Sequence, residues 1–180
     1  MTDSERAELI RLLTQSQQDF LAAVDGVGAT QWTYKPAPDR WSVGEVAEHI
    51  MLAEGSLFAR SMEALAHPPN SESPEQTARK SEFLRHVMPR RNRKAIAPDH
   101  IQPRGMALAE VVSRYRADRA RTLQFARETK LPLHEFTADH HLTVFGTLNA
   151  YQWLMYIPLH NLRHVQQIVE IQADGGYPQR

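Results

Sequence analysis

Apolar residues recur at helical spacing through four long stretches of this chain, and almost nothing alternates as a strand would. Thr2 with Glu5 forms a capping box that opens the first stripe, Leu9, Leu13, Ser16, Phe20 and Val24, closed by Gly26 and Gly28. Ser42 with Glu45 opens a second helix running to about His67, with Val46, Ile50, Ala53 and Leu57 along one side. A third spans about Ala107–Lys130, carries Leu108, Val112, Tyr115, Leu123 and Ala126, and is stopped by Pro132. Thr147 is expected to cap the fourth, which runs to about Ala173 and contains Pro158, a residue that removes one backbone hydrogen bond and should kink it. One-sided helices must cover those sides with each other, so the expected fold class is all-α, a four-helix bundle.

The connections differ in kind. Trp32, Tyr34, Pro36, Pro38 and Trp41 occupy the first, where the tryptophans read as packing anchors and Trp41 as a hydrophobic staple against Val46. The second runs from Pro68 to Pro103, roughly 35 residues with six prolines, and is long enough for helices two and three to point the same way. A short helix about Pro74–Val87 fits within it. From Arg79 to Arg104 there are eight Lys/Arg against two acids, Glu82 and Asp99, in a chain whose net charge is zero. Leu133–Phe145 reads as an irregular connector carrying His134, His140 and His141.

At 180 residues the chain is expected to form a single domain over 1–180. No apolar run approaches the roughly 18 residues of a membrane span, and the polar, acidic start is unlike a signal peptide, so a cytoplasmic location is expected. There is no cysteine. Disulfides, thiolate ligands and a cysteine nucleophile are excluded, and any thiol chemistry must use a thiol brought by a cofactor or substrate. The basic run Arg90-Arg91-Asn92-Arg93-Lys94 lacks interleaved aromatics, so nucleic acid is not the expected partner.

His160 and His164 lie four apart on the fourth helix, where side chains share a face about 6 Å apart. That face also carries Trp153, Ile157, Gln167 and Ile171 and should point inward, while His49 sits within the inward stripe of helix two. Buried imidazoles need partners. Each could be satisfied alone by a carbonyl or an acid. Together, an i,i+4 pair and a third histidine match a three-histidine divalent site with open positions, making His49, His160 and His164 the candidate metal ligands. The motif His160-Asn161-Leu162-Arg163-His164 lacks the glutamate of zinc proteases, since Asn161 stands in its place.

The segment Trp41-Ser42-Val43-Gly44-Glu45-Val46-Ala47-Glu48-His49-Ile50 resembles the W-S…H-I/L signature of the DinB superfamily. Gly146-Thr147-Leu148, followed by His160-x-x-x-His164-x-x-Gln167-Ile168, resembles its second half. The resemblance implies an up-down-down-up bundle, often a homodimer, with zinc or nickel held at His49, His160 and His164. It also implies thiol-dependent chemistry in some members, with mycothiol, bacillithiol or glutathione as cofactor. The leading expectation is therefore a metal-dependent thiol transferase acting on a small-molecule thiol and electrophile, with Asn161, Arg163 or Gln167 as candidate orienting groups. A metal-dependent hydrolase is the first alternative; its base would be His141, Glu45 or Glu48, the last least suited because it points to a different face from His49. The second is a stress-associated metal- or ligand-binding bundle with no reaction. His67, His86, His100 and His134 are expected at the surface.

Overall fold

The computed structural model describes residues 1–91 and 96–179. Six α-helices dominate: α1 Asp3–Val24, α2 Ala29–Thr33, α3 Val43–Ala66, α4 Pro74–Val87, α5 Leu108–Glu128 and α6 Ala150–Gln172. A 3-10 turn covers Asp99–Ile101, and strands β1 Thr137–Asp139 and β2 Thr147–Asn149 pair antiparallel. The class is all-α with a small two-stranded addition. No helix of the described residues is long and apolar enough to cross a membrane.

Both expected capping boxes form: Thr2 and Ser42 each accept the amide of the residue three ahead, and Glu5 and Glu45 reach back to the cap amides. Such caps each contribute about 1 kcal/mol by satisfying amides a helix start leaves bare. The start of α6 differs from expectation. Asn149, not Thr147, is its cap, paired with Gln152, because Thr147 belongs to β2. The connector over Leu133–Phe145 is likewise not wholly irregular, since it supplies β1.

The long helices α1, α3, α5 and α6 build the core, α1 and α3 each packing on both α5 and α6. Arg6 at the start of α1 bonds the carbonyls of Ala126 and Thr129 at the end of α5, whereas Phe20 near the end of α1 lies 4.3 Å from the Tyr115 ring. On α3, Ser61 bonds the Ala150 carbonyl, while His49, more than three turns earlier, meets His160. Helix α6 is the most enclosed: every residue from Ala150 to Asn161 is buried, Pro158 included, and the helix continues past that proline to Gln172. A side chain on this stretch therefore faces protein on whichever side it points, which is the setting of His160.

Candidate metal centre

Three imidazoles meet where α3 crosses α6. His49 reaches them from α3, about two turns beyond the Ser42 cap, and His160 and His164 from successive turns of α6. The ring centroids are 5.0 Å apart for His49–His160, 4.6 Å for His49–His164 and 4.4 Å for His160–His164. One donor atom from each lies within 4.8 Å of the others. All three side chains are buried, with 3%, 8% and 8% of their surface exposed in chain order.

Outer contacts orient two of the rings. His49 Nδ1 is 2.8 Å from the Ile101 carbonyl, which can only accept, so Nδ1 carries the proton and Nε2 is left as the donor atom. His164 Nδ1 lies 3.0 Å from Gln167 Oε1. His160 Nδ1 is buried with no hydrogen-bond partner among the described residues. A polar atom left so in a core costs about 1–3 kcal/mol unless something else bonds it.

Electrostatics keep these rings neutral. Burial lowers the pKa of His49, with the Ile101 hydrogen bond opposing it. Burial, then the neighbouring imidazoles and Arg163, pushes His160 and His164 well below the ordinary histidine value. Neutral imidazoles whose donor atoms lie within 4.8 Å of one another are the donor set that zinc and nickel favour. The residues present fit the group.

The sequence pattern of the DinB superfamily matches residues 12–168. The chain belongs to the DinB superfamily. It is also similar to the uncharacterized protein YuaE of Bacillus subtilis (strain 168), 25% identical over 146 residues, which cover 81% of this chain and 86% of that protein. No solved structure matches it. The span shared with the DinB pattern contains all three histidines and Gln167.

Around this DinB centre the other candidate residues divide. Asn161 is buried and donates to the Tyr115 hydroxyl at 2.8 Å, which ties α6 to α5 and takes it away from any substrate. Glu45 bonds the Ser42 amide at 2.8 Å and Lys35 at 2.7 Å, the position of a cap residue. Trp41 stands 4.9 Å from the His49 ring, flanking the site. His141 is exposed and stacks on His140, apart from the three clustered rings. His134 departs from its expected surface position: half-buried, it bonds Glu5 at 3.0 Å.

Two contributors escaped the sequence reading. Glu48 does face away from His49, but its carboxylate is buried and accepts the amides of Arg104, Gly105 and Met106 at 2.8, 2.8 and 2.9 Å. It thereby pins the connection that carries the Ile101 carbonyl. Arg91 donates to Gln167 Oε1 at 2.9 Å and forms two bonds of 2.8 Å to Glu170. The basic run that includes it extends through Arg93 and Lys94, which lie outside the described residues.

Proposed function

We propose that this protein binds one divalent metal ion, zinc or nickel, through His49, His160 and His164, and serves as a metal-dependent transferase of a low-molecular-weight thiol. The observation that carries the reading is the convergence of three buried, neutral imidazoles whose donor atoms lie within 4.8 Å of one another. A charged acid or a backbone carbonyl at the centre would favour simple packing, but the contacts of His49 and His164 lie on their outer nitrogens. When bound, a divalent ion with an open position supplies a Lewis acid that lowers the pKa of a thiol reaching it. The chain's own part is to orient His49 and His164, through Ile101 and Gln167, and to keep bulk water from a site that is at most 8% exposed.

The lack of cysteine is compatible with thiol transfer, and the engagement of two candidate bases disfavours hydrolysis. The chain holds no cysteine, so a nucleophilic sulfur must arrive with the substrate. The acids offered as bases for water are engaged elsewhere, Glu45 at the helix cap and Glu48 on three amides. The up-down-down-up arrangement belongs to the same reading. It is supported by the order of contacts: Arg6 with the end of α5 and Phe20 with its first half, Ser61 with the start of α6 and His49 with its middle, Gln172 with the Ala23 carbonyl.

The test is metal content by plasma mass spectrometry on tag-free protein and on His160→Ala, followed by thiol consumption with mycothiol, bacillithiol or glutathione and a panel of electrophiles. About one ion per chain, lost in the variant, with metal-dependent loss of one thiol, is the expected outcome. Absence of metal after reconstitution with zinc and nickel overturns the metal centre. Bound metal without thiol turnover overturns the transferase and leaves a binding bundle.

A further inference from the structure

We propose that Arg91, from the connection between α3 and α5, is a positioning residue for His164, acting through the side-chain amide of Gln167. The inference rests on His164 being a metal ligand and adds what holds that ligand in its usable form.

The outer contacts of His49 and His164 differ in kind. His49 is oriented by a backbone carbonyl, which has no choice but to accept, so its Nδ1 keeps the proton unaided. His164 is oriented by a glutamine amide, which accepts at one end and donates at the other. With the oxygen toward Nδ1, that nitrogen is the N–H and Nε2 keeps its lone pair. With the amide turned over, Nδ1 would accept and Nε2 would carry the proton. A protonated Nε2 cannot bind a metal ion.

Arg91 removes the ambiguity. Its guanidinium only donates, and one nitrogen meets Gln167 Oε1 at 2.9 Å, so the amide atom between Arg91 and His164 must be oxygen. Glu170, one turn beyond Gln167, takes Arg91 Nε and Nη2 at 2.8 Å each, and this two-point grip fixes the plane of the fork. Arg91 is itself largely covered, with 19% of its side chain exposed. The chain of contacts is Glu170 to Arg91 to Gln167 to His164. Fixing the tautomer of a ligating histidine from outside is typically worth about 10–100-fold in metal affinity.

The test uses metal-free protein labelled with 15N-histidine and zinc alone as the probe. Two-bond 1H–15N correlations read the tautomer of His164, and competition against a chromophoric chelator reads zinc affinity. In wild type His164 should be the Nδ1–H form. Arg91→Ala should move it toward the Nε2–H form and weaken zinc binding about 10–100-fold. Adding Gln167→Glu to Arg91→Ala should restore the Nδ1–H form and most of the affinity, because a carboxylate accepts at either oxygen. An unchanged tautomer and affinity in a folded Arg91→Ala protein overturns the proposal, as does a lowered melting temperature with the tautomer unchanged. A tautomer shift in a protein whose wild type binds no zinc supports the positioning role and overturns only the metal centre beneath it.

Discussion

Helix α3 carries two buried polar centres barely more than a turn apart, and they are built on opposite plans. At Glu54 the carboxylate takes Arg119 Nε at 2.9 Å, Arg119 Nη2 at 2.7 Å and the Thr122 hydroxyl at 3.0 Å. The remaining Arg119 nitrogen bonds the Leu13 carbonyl and the Ser16 hydroxyl. Donors meet acceptors, charge meets counter-charge, and α1, α3 and α5 are joined. At His49, α3 instead presents one imidazole to two more on α6, and like groups face one another. A cluster that serves only the fold closes upon itself. The cluster at His49 instead keeps donor atoms within 4.8 Å of one another, an arrangement that would suit a cation at its centre.

Breaking the closed centre should have the largest effect. Glu54→Ala leaves Arg119 charged in a site with no exposure, and loss of one partner of a buried pair costs about 3–5 kcal/mol. Urea unfolding should show that drop, and a loss below 1 kcal/mol would mean that water reaches Arg119 and that the centre is not closed. The histidine centre should respond to metal instead. Zinc at a hundredfold excess over its dissociation constant should add about 2.7 kcal/mol to wild type and nothing to His160→Ala. Equal zinc stabilisation of both proteins would place the ion elsewhere.

Glu48, on α3 next to His49, is a third buried polar arrangement, a carboxylate that closes on amides rather than on a cation. Glu48→Gln should cost about 2 kcal/mol, as expected for hydrogen bonds to a charged acceptor, and speed exchange of the Arg104–Met106 amides. If those amides stay protected, the segment is held by its other contacts and the carboxylate is incidental.

These residues also mark what a sequence discloses. The three histidines were legible because their information is local: four-residue spacing on α6, and a place in an inward stripe on α3. The helices were legible from the same periodicity. At the cap of α6 the expectation of Thr147 is wrong: Asn149 with Gln152 has capping-box spacing, but what removes Thr147 is its strand pairing with Asp139, which is not a local signal. Glu48 and Arg91 were not legible. Glu48 acts by meeting, and Arg91 by standing in, a proline-rich connection that has no period and so no register from which to predict which backbone or side chain will be touched.

His140 extends the contrast to a third region and gives the smallest expected effect. Here a buried imidazole has been closed without a counter-charge: the Leu142 amide donates to its Nδ1 at 2.9 Å, and the rings of Trp153 and Tyr156 stack on it at 5.1 and 5.4 Å. Burial first, and then the charge of His141, pushes its pKa down to about 4, from an ordinary 6.5. The unfolded chain therefore takes up a proton here before the folded one does. Stability from this residue is complete above pH 6.5 and is lost progressively as pH falls toward about 4. His140→Phe keeps the stacking and removes the titration. Urea unfolding in chelator at pH 7 and pH 5 should show a smaller acid loss in the variant than in wild type. Identical losses would mean that His140 is protonated in the fold, and that a ring closed by stacking and one backbone amide tolerates a charge that burial disfavours at His49, His160 and His164.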